Sequence, residues 1–482
     1  MYAGKILSVS LTDLSHSIVT PEKRIYDKYI GGRGLCGYLL GEHLSENPLI
    51  FCTGPLTGTG YQTTARCAVM HIDPRTGGLF HSDFGGGFAT ALKRAGYDGL
   101  IITGRAESPV SLIIDENVRF GSIPFGYAKT EAGADKNIRY CGILSDGFFT
   151  THRGGTGTLM HDMNLLSVGI MPANEPEIPS TSAYEDIERL INAAPSLTGR
   201  LGIGRFGTAA LYDLSHARDI LPNVFFKLPK PDAHDNANAF GKTESVSCGS
   251  CPIACRKKKD GLRVPEYDEF TMLLSVGIPF DRITDIYNHC LKQGIDIITV
   301  CHCIAQSGID GEKFLYDIPQ KFYKGSDSLT IKGIELPAFA PDGAMGVALG
   351  YATSTNGADW TTAMAVTHEI LRKPVPTDRH SAEGKAVINI AYENAKAAAD
   401  SLPVCQYVLF SASLEEYAKA LETTAAQLAD CGNGIFMNEI DIIRRLGFGI
   451  ETDRLPEGVL TPQQQKELDA ELKKYHRMRG LA

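Results

Sequence analysis

The sequence of 482 residues has no long apolar run and no excess of positive charge. No uncharged apolar stretch approaches the roughly 18–20 residues that a membrane-spanning helix needs, and the N-terminus lacks the apolar core of a signal peptide. With a formal net charge of -9, the chain has no basic balance for binding nucleic acid phosphates. We therefore expect a cytoplasmic protein that has no membrane segment and no nucleic acid partner.

A disulfide framework is not expected either. The 12 cysteines are spread over the whole chain, and no secretion signal directs the chain to an oxidising compartment. Hydrophobic residues make up 43% of the chain and charged residues 21%, so a large core can form. We expect the clustered cysteines to be metal ligands and the other cysteines to be mostly buried thiols.

The pattern of apolar residues changes along the chain. Short alternating runs such as RCAVMHI and GLIITG, separated by Gly, Pro and Asp, are typical of strands. Helical periodicity follows and begins with a capping box at Ser182 and Glu185. The sequence predicts an α+β multidomain fold, with a β-rich N-terminal domain over residues 1–175 and two mainly α-helical domains over 176–333 and 334–482.

The most specific chemical motif is CGSCPIACRKKK, which contains Cys248, Cys251 and Cys255. Structural zinc usually brings a second C-x2-C pair, and the sequence has none. Three closely spaced cysteines and one distant cysteine are a common way to hold a cubane iron–sulfur cluster. The spacing therefore favours an iron–sulfur cluster over zinc and over a site without metal.

The fourth ligand has to come from another part of the chain. The candidates are Cys290, Cys301, Cys303, Cys405, Cys431 or an earlier cysteine, and spacing does not choose among them. Cys290 lies within an amphipathic helical pattern, where a buried thiol is expected. Cys405 follows a proline that ends a long helical pattern, which places its thiol on a turn and favours it.

Several longer stretches resemble the tungsten-containing aldehyde:ferredoxin oxidoreductase family. They are GGRGLCGYLL, TGPLTGTG, PRTGGLFHSDFGGGFATALKRAGYDGLIITGRAESPV, PEYDEF, ELPAFAPDGAMGVALGYATSTNGAD and LKKYHRMRG. The resemblance runs through essentially the whole chain, as in a divergent and shorter member. It implies that the β-rich N-terminal domain cradles a tungsten or molybdenum ion held by two pterins. Magnesium would join the pterin phosphates, and a 4Fe-4S cluster would lie close by.

The resemblance also implies roles for individual residues. It assigns the cluster to Cys248, Cys251, Cys255 and Cys405, the last because DSLPVC matches a family motif that ends in a ligand. Cofactor contacts, including magnesium at Asp83 and at the carbonyl of Thr150, fall on Arg66, Asp83, Phe84, Gly85, Gly86, Thr150, His152, Arg153, Asp296, Asp400 and Gln406. The alternative interpretations are a surface position for Arg66 and a helix N-cap for Asp296.

The sequence departs from the family at positions that matter for the chemistry. The acidic residue near the metal is Asp268 in place of the usual glutamate, and the histidine that approaches the substrate is replaced by Trp360. The further departures are Thr362 for a lysine, Leu291 for an acid, Phe149 for an arginine, and Asp285 with Asn288 for a pair that holds a metal between subunits. These changes put the standard pterin site and ordinary aldehyde oxidation in question.

The resemblance implies an oxidoreductase of anaerobic metabolism. Electrons would pass between an aldehyde or carboxylic substrate and ferredoxin or a similar low-potential carrier. The expected catalytic residues are Asp268, Tyr267 and Trp360, with Asp268 and Tyr267 handling protons. The alternatives are a family member acting on a non-aldehyde substrate and a non-catalytic homologue that keeps the cluster as an electron relay or structural element. Both a homodimer and a subunit of a larger redox complex remain open.

Four cationic residues, Arg256, Lys257, Lys258 and Lys259, directly follow the third cysteine of the motif. They form a positive segment on a chain of negative net charge. One interpretation is a solvated loop. The other is a docking patch for an acidic carrier such as ferredoxin, because a cationic rim accelerates the encounter.

Overall fold

The computed structural model describes residues 1–151, 153–172, 174, 177–249, 251–373 and 375–481. Most strands lie in the first 170 residues, and most helices follow them. This confirms the predicted α+β fold, with a β-rich N-terminal part and a mainly helical remainder. Among the described residues, no helix is long and apolar enough to cross a membrane.

The first sheet is mixed and has six strands. They are β1 (Ile6–Ser10), β2 (Ser15–Val19), β3 (Leu49–Cys52), β4 (Cys67–Ile72), β5 (Leu79–Phe84) and β6 (Gly99–Thr103). Their order across the sheet is β2-β1-β6-β3-β4-β5. Of these strands, only β1 and β6 pair in parallel, so the sheet is largely antiparallel. Strand β5 lies at one edge of the sheet.

The second sheet meets the first sheet at its edge. It also has six strands: β7 (Val110–Ile114), β8 (Val118–Phe120), β9 (Ala128–Ala132), β10 (Ile143–Ser145), β11 (Phe149–Thr151) and β12 (Leu165–Ile170). Their order across the sheet is β11-β10-β9-β12-β7-β8. The helices of this part are α1 (Lys23–Tyr29), α2 (Gly32–Glu42), α3 (Phe88–Arg94) and α4 (Thr156–Asp162). Edge strand β11 contacts edge strand β5.

The rest of the chain is mainly helical. Its helices are α5 (Ser182–Ala193), α6 (Ile203–Phe206), α7 (Leu211–His216), α8 (Asn223–Phe226), α9 (Tyr267–Ser275), α10 (Phe280–Gln293), α11 (Ile297–Ser307), α12 (Gly311–Tyr316), α13 (Met345–Thr353), α14 (Val366–Glu369), α15 (Lys385–Ser401), α16 (Leu414–Ala420), α17 (Ala425–Arg445) and α18 (Pro462–Met478). A three-stranded sheet, β13 (Glu244–Val246), β14 (Arg256–Lys259) and β15 (Leu262–Arg263), and a hairpin, β16 (Thr330–Ile331) and β17 (Ile334–Glu335), complete it.

Two local predictions can be compared with these elements. The predicted capping box of α5 is wrong, because Thr181 is the N-cap and its side chain accepts from the backbone N–H of Tyr184. The predicted boundary between residues 333 and 334 falls in the β16–β17 hairpin, and one apolar cluster includes Ile331 and Ile334 on both sides of it. The domain limits therefore stay predictions.

The first sheet is buried on both faces at its central strands, whereas β2 is exposed. Leu100 and Ile102 of β6 belong to an apolar cluster that extends into the second sheet. Ile101, between them, belongs to another cluster that includes Leu39 of α2 and Ile442 of α17. The period of two along a strand thus separates the residues that pack on the second sheet from those that pack on helices.

A buried ion pair links the N-terminal part to the C-terminal helices. Nε and Nη2 of Arg33, in α2, each donate to a carboxylate oxygen of Glu439, in α17, over 2.7 Å. Nη1 of Arg33 donates to Asp400, in α15, over 3.3 Å. Arg33 and Glu439 are both buried, so each charge depends on its partner for compensation.

The substitution Glu439→Gln should lower the free energy of unfolding by about 3–5 kcal/mol, because it leaves the Arg33 charge buried without its main partner. Urea unfolding followed by circular dichroism measures this change. The control is Glu22→Gln, which removes the partner of Arg24 from an exposed pair and should cost less than about 1 kcal/mol. Equal losses in the two variants would contradict the importance of burial.

Candidate active site and cluster site

A cavity of about 200 Å³ is bordered by β5, β11 and segments of the helical part. Its cationic side chains are Arg33, Arg66, Arg153, Arg256 and Lys396, and its carboxylates are Asp83, Asp268, Glu269, Asp296, Asp359 and Asp400. Burying so many charges is unfavourable unless they are paired or face a ligand. We refer to this space as the central cavity and treat it as the candidate active site.

The end of strand β5 brings Asp83 into the central cavity, where it pairs with Arg66. Nε of Arg66 donates to the carboxylate of Asp83, and Nη2 donates to its backbone carbonyl over 2.7 Å. Burial acts to raise the pKa of Asp83, but the charge and hydrogen bond of Arg66 hold it below its usual value. Asp83 is therefore ionised and already has a cationic partner.

The residues that follow Asp83 do not all reach the central cavity. The ring of Phe84 is buried in the core, with its centroid 6.1 Å from that of Phe51 and 5.7 Å from that of Phe88. Gly85 lies against the cysteine motif, since a Cβ atom there would be 2.3 Å from Sγ of Cys248. Gly86 has φ of +102°, which a residue with a side chain rarely adopts.

The four predicted cluster ligands line one small space, which we call the cluster cavity. Cys248, Cys251 and Cys255 come from the loop between β13 and β14, and Cys405 comes from the turn after α15. The backbone N–H of Cys405 donates to the carbonyl of Thr63 over 3.0 Å, which fixes this turn. The structure thus brings the distant cysteine to the other three.

The other candidates for the fourth ligand lie elsewhere. Cys290 is buried in α10, and Cys301 and Cys303 are buried in α11. Cys431, in α17, lies 3.5 Å from the carbonyl oxygen of Asp27. In the part of the chain that the structure describes, no three His, Cys, Asp or Glu side chains are grouped as ligands of a single metal ion.

Arg66 and Arg256 line both the central cavity and the cluster cavity. Burial raises the pKa of the Cys255 thiol to about 12, and the positive charge of Arg256 opposes this shift. Burial also raises the pKa of Cys405, and Arg66 opposes it. The two arginines therefore form a shared wall that favours negative charge on the cysteines beside it.

The two main departures from the family pattern touch each other. Nε1 of Trp360 donates to Oδ2 of Asp268 over 3.0 Å, and the backbone N–H of Ala338 donates to Oδ1 over 3.1 Å. Burial, with the nearby charge of Glu269, raises the pKa of Asp268 to about 7. Asp268 can therefore exchange a proton near neutral pH.

Tyr267, the third predicted catalytic residue, lies away from the central cavity. Its hydroxyl forms a hydrogen bond of 2.7 Å with the hydroxyl of Ser215. Its ring stacks on that of Phe339, with 4.5 Å between the centroids, and burial raises its pKa well above the usual value. Its hydroxyl is therefore engaged in the core, and proton transfer by Tyr267 stays a prediction that this geometry does not support.

Arg153 lines the central cavity and also holds the backbone around it. Nη1 donates to the carbonyl of Ala358 over 2.5 Å, and Nη2 donates to the carbonyl of Glu335. Its Nε is buried and has no hydrogen-bond partner among the described residues, so one donor is available for a ligand. His152, the neighbouring predicted residue, lies outside the described residues.

Asp296 is the N-cap of α11 as well as part of the cavity wall. Its Oδ1 accepts from the backbone N–H of Ile298 over 3.0 Å, and its Oδ2 accepts from the hydroxyl of Thr299 over 2.6 Å. The alternative interpretation as a helix cap is thus confirmed. Thr150 and Gln406 also line the cavity.

The remaining departures do not line the central cavity. Leu291 is buried in α10, and the hydroxyl of Thr362 forms a hydrogen bond of 3.0 Å with Ser354. The ring of Phe149 would lie 3.0 Å from a Cβ atom at Gly85. The side chain of Asn288 accepts from the backbone N–H of Arg263 and donates to the carbonyl of the same residue.

The interpretation of Arg256–Lys259 as a docking patch is wrong for its first two residues. Arg256 forms an ion pair with Glu266 and lies in the shared wall. Lys257 is buried, and its Nζ donates to two backbone carbonyls and to the hydroxyl of Ser245, within 2.6–2.9 Å. The segment is strand β14, in which neighbouring side chains point to opposite faces, and protein covers both Arg256 and Lys257.

Sequence reasoning missed several residues of the central cavity. They include Arg33, His81, Lys396 and Arg256. His81 could have been found, because it lies two residues before Asp83 on the same face of β5. Lys396 could also have been found, since it lies one helical turn before Asp400 in α15.

The chain is similar to known proteins along most of its length. A family model described as "Aldehyde ferredoxin oxidoreductase, N-terminal domain" matches residues 6–125, and one for domains 2 and 3 matches residues 320–482. The tungsten-containing aldehyde ferredoxin oxidoreductase of Pyrococcus furiosus is 26% identical over 505 residues, covering 86% of this chain and 83% of the relative. Its counterpart in Pyrococcus horikoshii is 26% identical over 513 residues, covering 87% and 84%.

Two further matches have different names. The WOR-like subunit of an aliphatic sulfonate oxidoreductase from Pyrococcus furiosus is 37% identical over 312 residues, covering 53% of this chain and 49% of the relative. The solved active site complex BamBC of benzoyl coenzyme A reductase, bound to 1,5-dienoyl-CoA, has a TM-score of 0.79 and 17% identity. That match covers 100% of this chain and 95% of the other, and it shows a common fold.

The contact between Gly85 and Cys248 gives a prediction for the cysteine motif. Gly85→Ala should displace Cys248 and lose most of the iron and visible absorbance of the predicted cluster, because a Cβ atom would lie 2.3 Å from the sulfur. Gly87→Ala is the matched control, since its Cβ atom would have 3.6 Å to its nearest neighbour. Full iron in Gly85→Ala would contradict a ligand role for Cys248 in this position.

Proposed function

Since the chain belongs to the aldehyde ferredoxin oxidoreductase family, we propose that it is a cytoplasmic iron–sulfur and tungstopterin oxidoreductase. It transfers electrons between an aldehyde or carboxylic substrate and ferredoxin. The observation that carries this proposal is the shared wall of Arg66 and Arg256 between the central cavity and the cluster cavity. Two redox centres held on either side of two side chains would be close enough to exchange electrons.

The cluster cavity fits a 4Fe-4S cluster. Cys248, Cys251, Cys255 and Cys405 provide the four thiolates that such a cluster takes. When bound, the cluster supplies one-electron transfer. The arginines beside the cysteines favour this assignment, because they stabilise the negative charge that thiolates bring into a buried site.

The central cavity fits the phosphates and polar rings of a pterin cofactor. Nε of Arg153 is buried without a hydrogen-bond partner among the described residues, and such a donor suits a phosphate oxygen. When bound, a tungsten or molybdenum pterin supplies two-electron chemistry. Magnesium fits less well, because the carboxylate of Asp83 is already paired with Arg66.

Asp268 is the residue that we assign to proton transfer. Its carboxylate lines the central cavity, and its pKa of about 7 lets it accept or release a proton at neutral pH. Trp360 holds Oδ2 of Asp268 through the indole N–H. The indole cannot accept a proton, so Trp360 orients the carboxylate and shapes the space for the substrate.

A second candidate function is oxidation or reduction of a non-aldehyde substrate. The WOR-like subunit of the aliphatic sulfonate oxidoreductase has a higher identity, 37%, than the aldehyde enzymes, although over a shorter stretch. The Asp268–Trp360 pair, which replaces a glutamate and a histidine of the family pattern, points in the same direction. A larger redox complex is then the expected assembly.

Metal analysis of protein purified without oxygen tests the proposal. We expect about four iron atoms and one tungsten or molybdenum per chain, while iron alone would favour the non-catalytic homologue. Cys405→Ser should lose most of the iron and visible absorbance, because one iron would lack its thiolate. Cys290→Ser, a buried cysteine of α10, should keep both. The opposite result would assign the fourth ligand to Cys290.

The pKa of Asp268 predicts the pH dependence of substrate oxidation. The carboxylate has to be ionised to accept a proton, so kcat/KM should fall as the pH decreases through about 7. Trp360→Phe removes the donor that favours the ionised form, so the fall should shift to higher pH. Asp268→Asn should abolish this fall at low pH together with most of the activity. If Asp268→Asn retains the same fall of kcat/KM, the fall reports the titration of another group.

A further inference from the structure

Arg256 differs from Arg66 in how its charge is compensated, although both lie in the shared wall. Arg66 has the carboxylate of Asp83 as its own partner. Arg256 shares Glu266 with Arg263, whose Nη2 donates to the same carboxylate oxygen over 2.9 Å. One carboxylate therefore lies between two guanidinium groups.

A second carboxyl group lies near this trio. Burial raises the pKa of Glu269, and the charges of Arg263 and Arg256 oppose this rise. Nε of Arg256 is buried and has no hydrogen-bond partner in the part of the chain that the structure describes. A buried donor without a partner is rare in folded proteins and is often explained by a bound group.

We propose that Arg256 is a positioning residue that sets the reduction potential of the iron–sulfur cluster. The inference rests on the proposed function, because it requires the cluster. On reduction the cluster takes up one electron, from the substrate through the central cavity or from dithionite, and it gains one negative charge without a proton. A nearby positive charge stabilises the reduced form, and net charge and hydrogen bonds are what set such potentials.

The test is a redox titration of the anaerobically purified holoprotein, followed by electron paramagnetic resonance. Arg256→Gln removes the charge, so the ratio of reduced to oxidised cluster at a given potential should fall about tenfold, which is 59 mV for a one-electron couple. Arg256→Lys keeps the charge and should restore a potential close to that of the wild type. Lys259→Gln, which removes a charge from the far end of β14, should leave it unchanged.

A second variant tests the same idea in the opposite direction. Glu266→Gln removes the shared carboxylate, so the potential should rise, whereas general damage to the site would not reverse the sign. An unchanged potential in Arg256→Gln with full iron would overturn the proposal. If that variant holds no iron, Glu266→Gln decides, and an unchanged or lower potential overturns it. Absence of iron in the wild type would instead overturn the proposed cluster itself.

Discussion

The compensation of buried positive charge is the constraint on which this structure depends. Arg66 and Arg256 separate the two cavities, and neither can be buried there without a carboxylate. Arg66 is held by Asp83 at the end of β5, and Arg256 is held by Glu266 just before α9. These two ion pairs therefore form part of the site and also attach the edge of the first sheet and the start of α9 to the site.

A second set of buried charges positions the distant cysteine. Asp400, near the end of α15, accepts from Nζ of Lys396 and from Nη1 of Arg33, which is paired in turn with Glu439. Cys405 follows five residues after Asp400. The hydrogen bonds of Asp400 therefore fix the end of α15, from which the chain continues to the cluster cavity. Three helices from separate parts of the sequence, α2, α15 and α17, are joined by these bonds. The sequence motif alone could not supply that information.

Periodicity along the chain was enough to predict the α+β fold. The helix-breaking proline favoured Cys405 as fourth ligand, and the structure brings this cysteine beside the other three. Local pattern was not enough to interpret Arg256–Lys259, since four consecutive charges resemble a solvated segment. Lys257 is instead buried, and three oxygen atoms accept hydrogen bonds from its Nζ. Adjacent residues in a helix point in different directions, so Asp268 lines the central cavity while its neighbour Tyr267 packs in the core.

The two departures at Asp268 and Trp360 are best understood as one change. An aspartate is one methylene shorter than a glutamate, and an indole is larger than an imidazole, so the pair meets within 3.0 Å. Because the indole N–H only donates, exchange of protons at this place rests on the carboxylate. Burial raises the pKa of the Asp268 carboxyl group to about 7. On the proposed function, the change keeps a carboxyl group for proton exchange and alters the shape of the central cavity beside it.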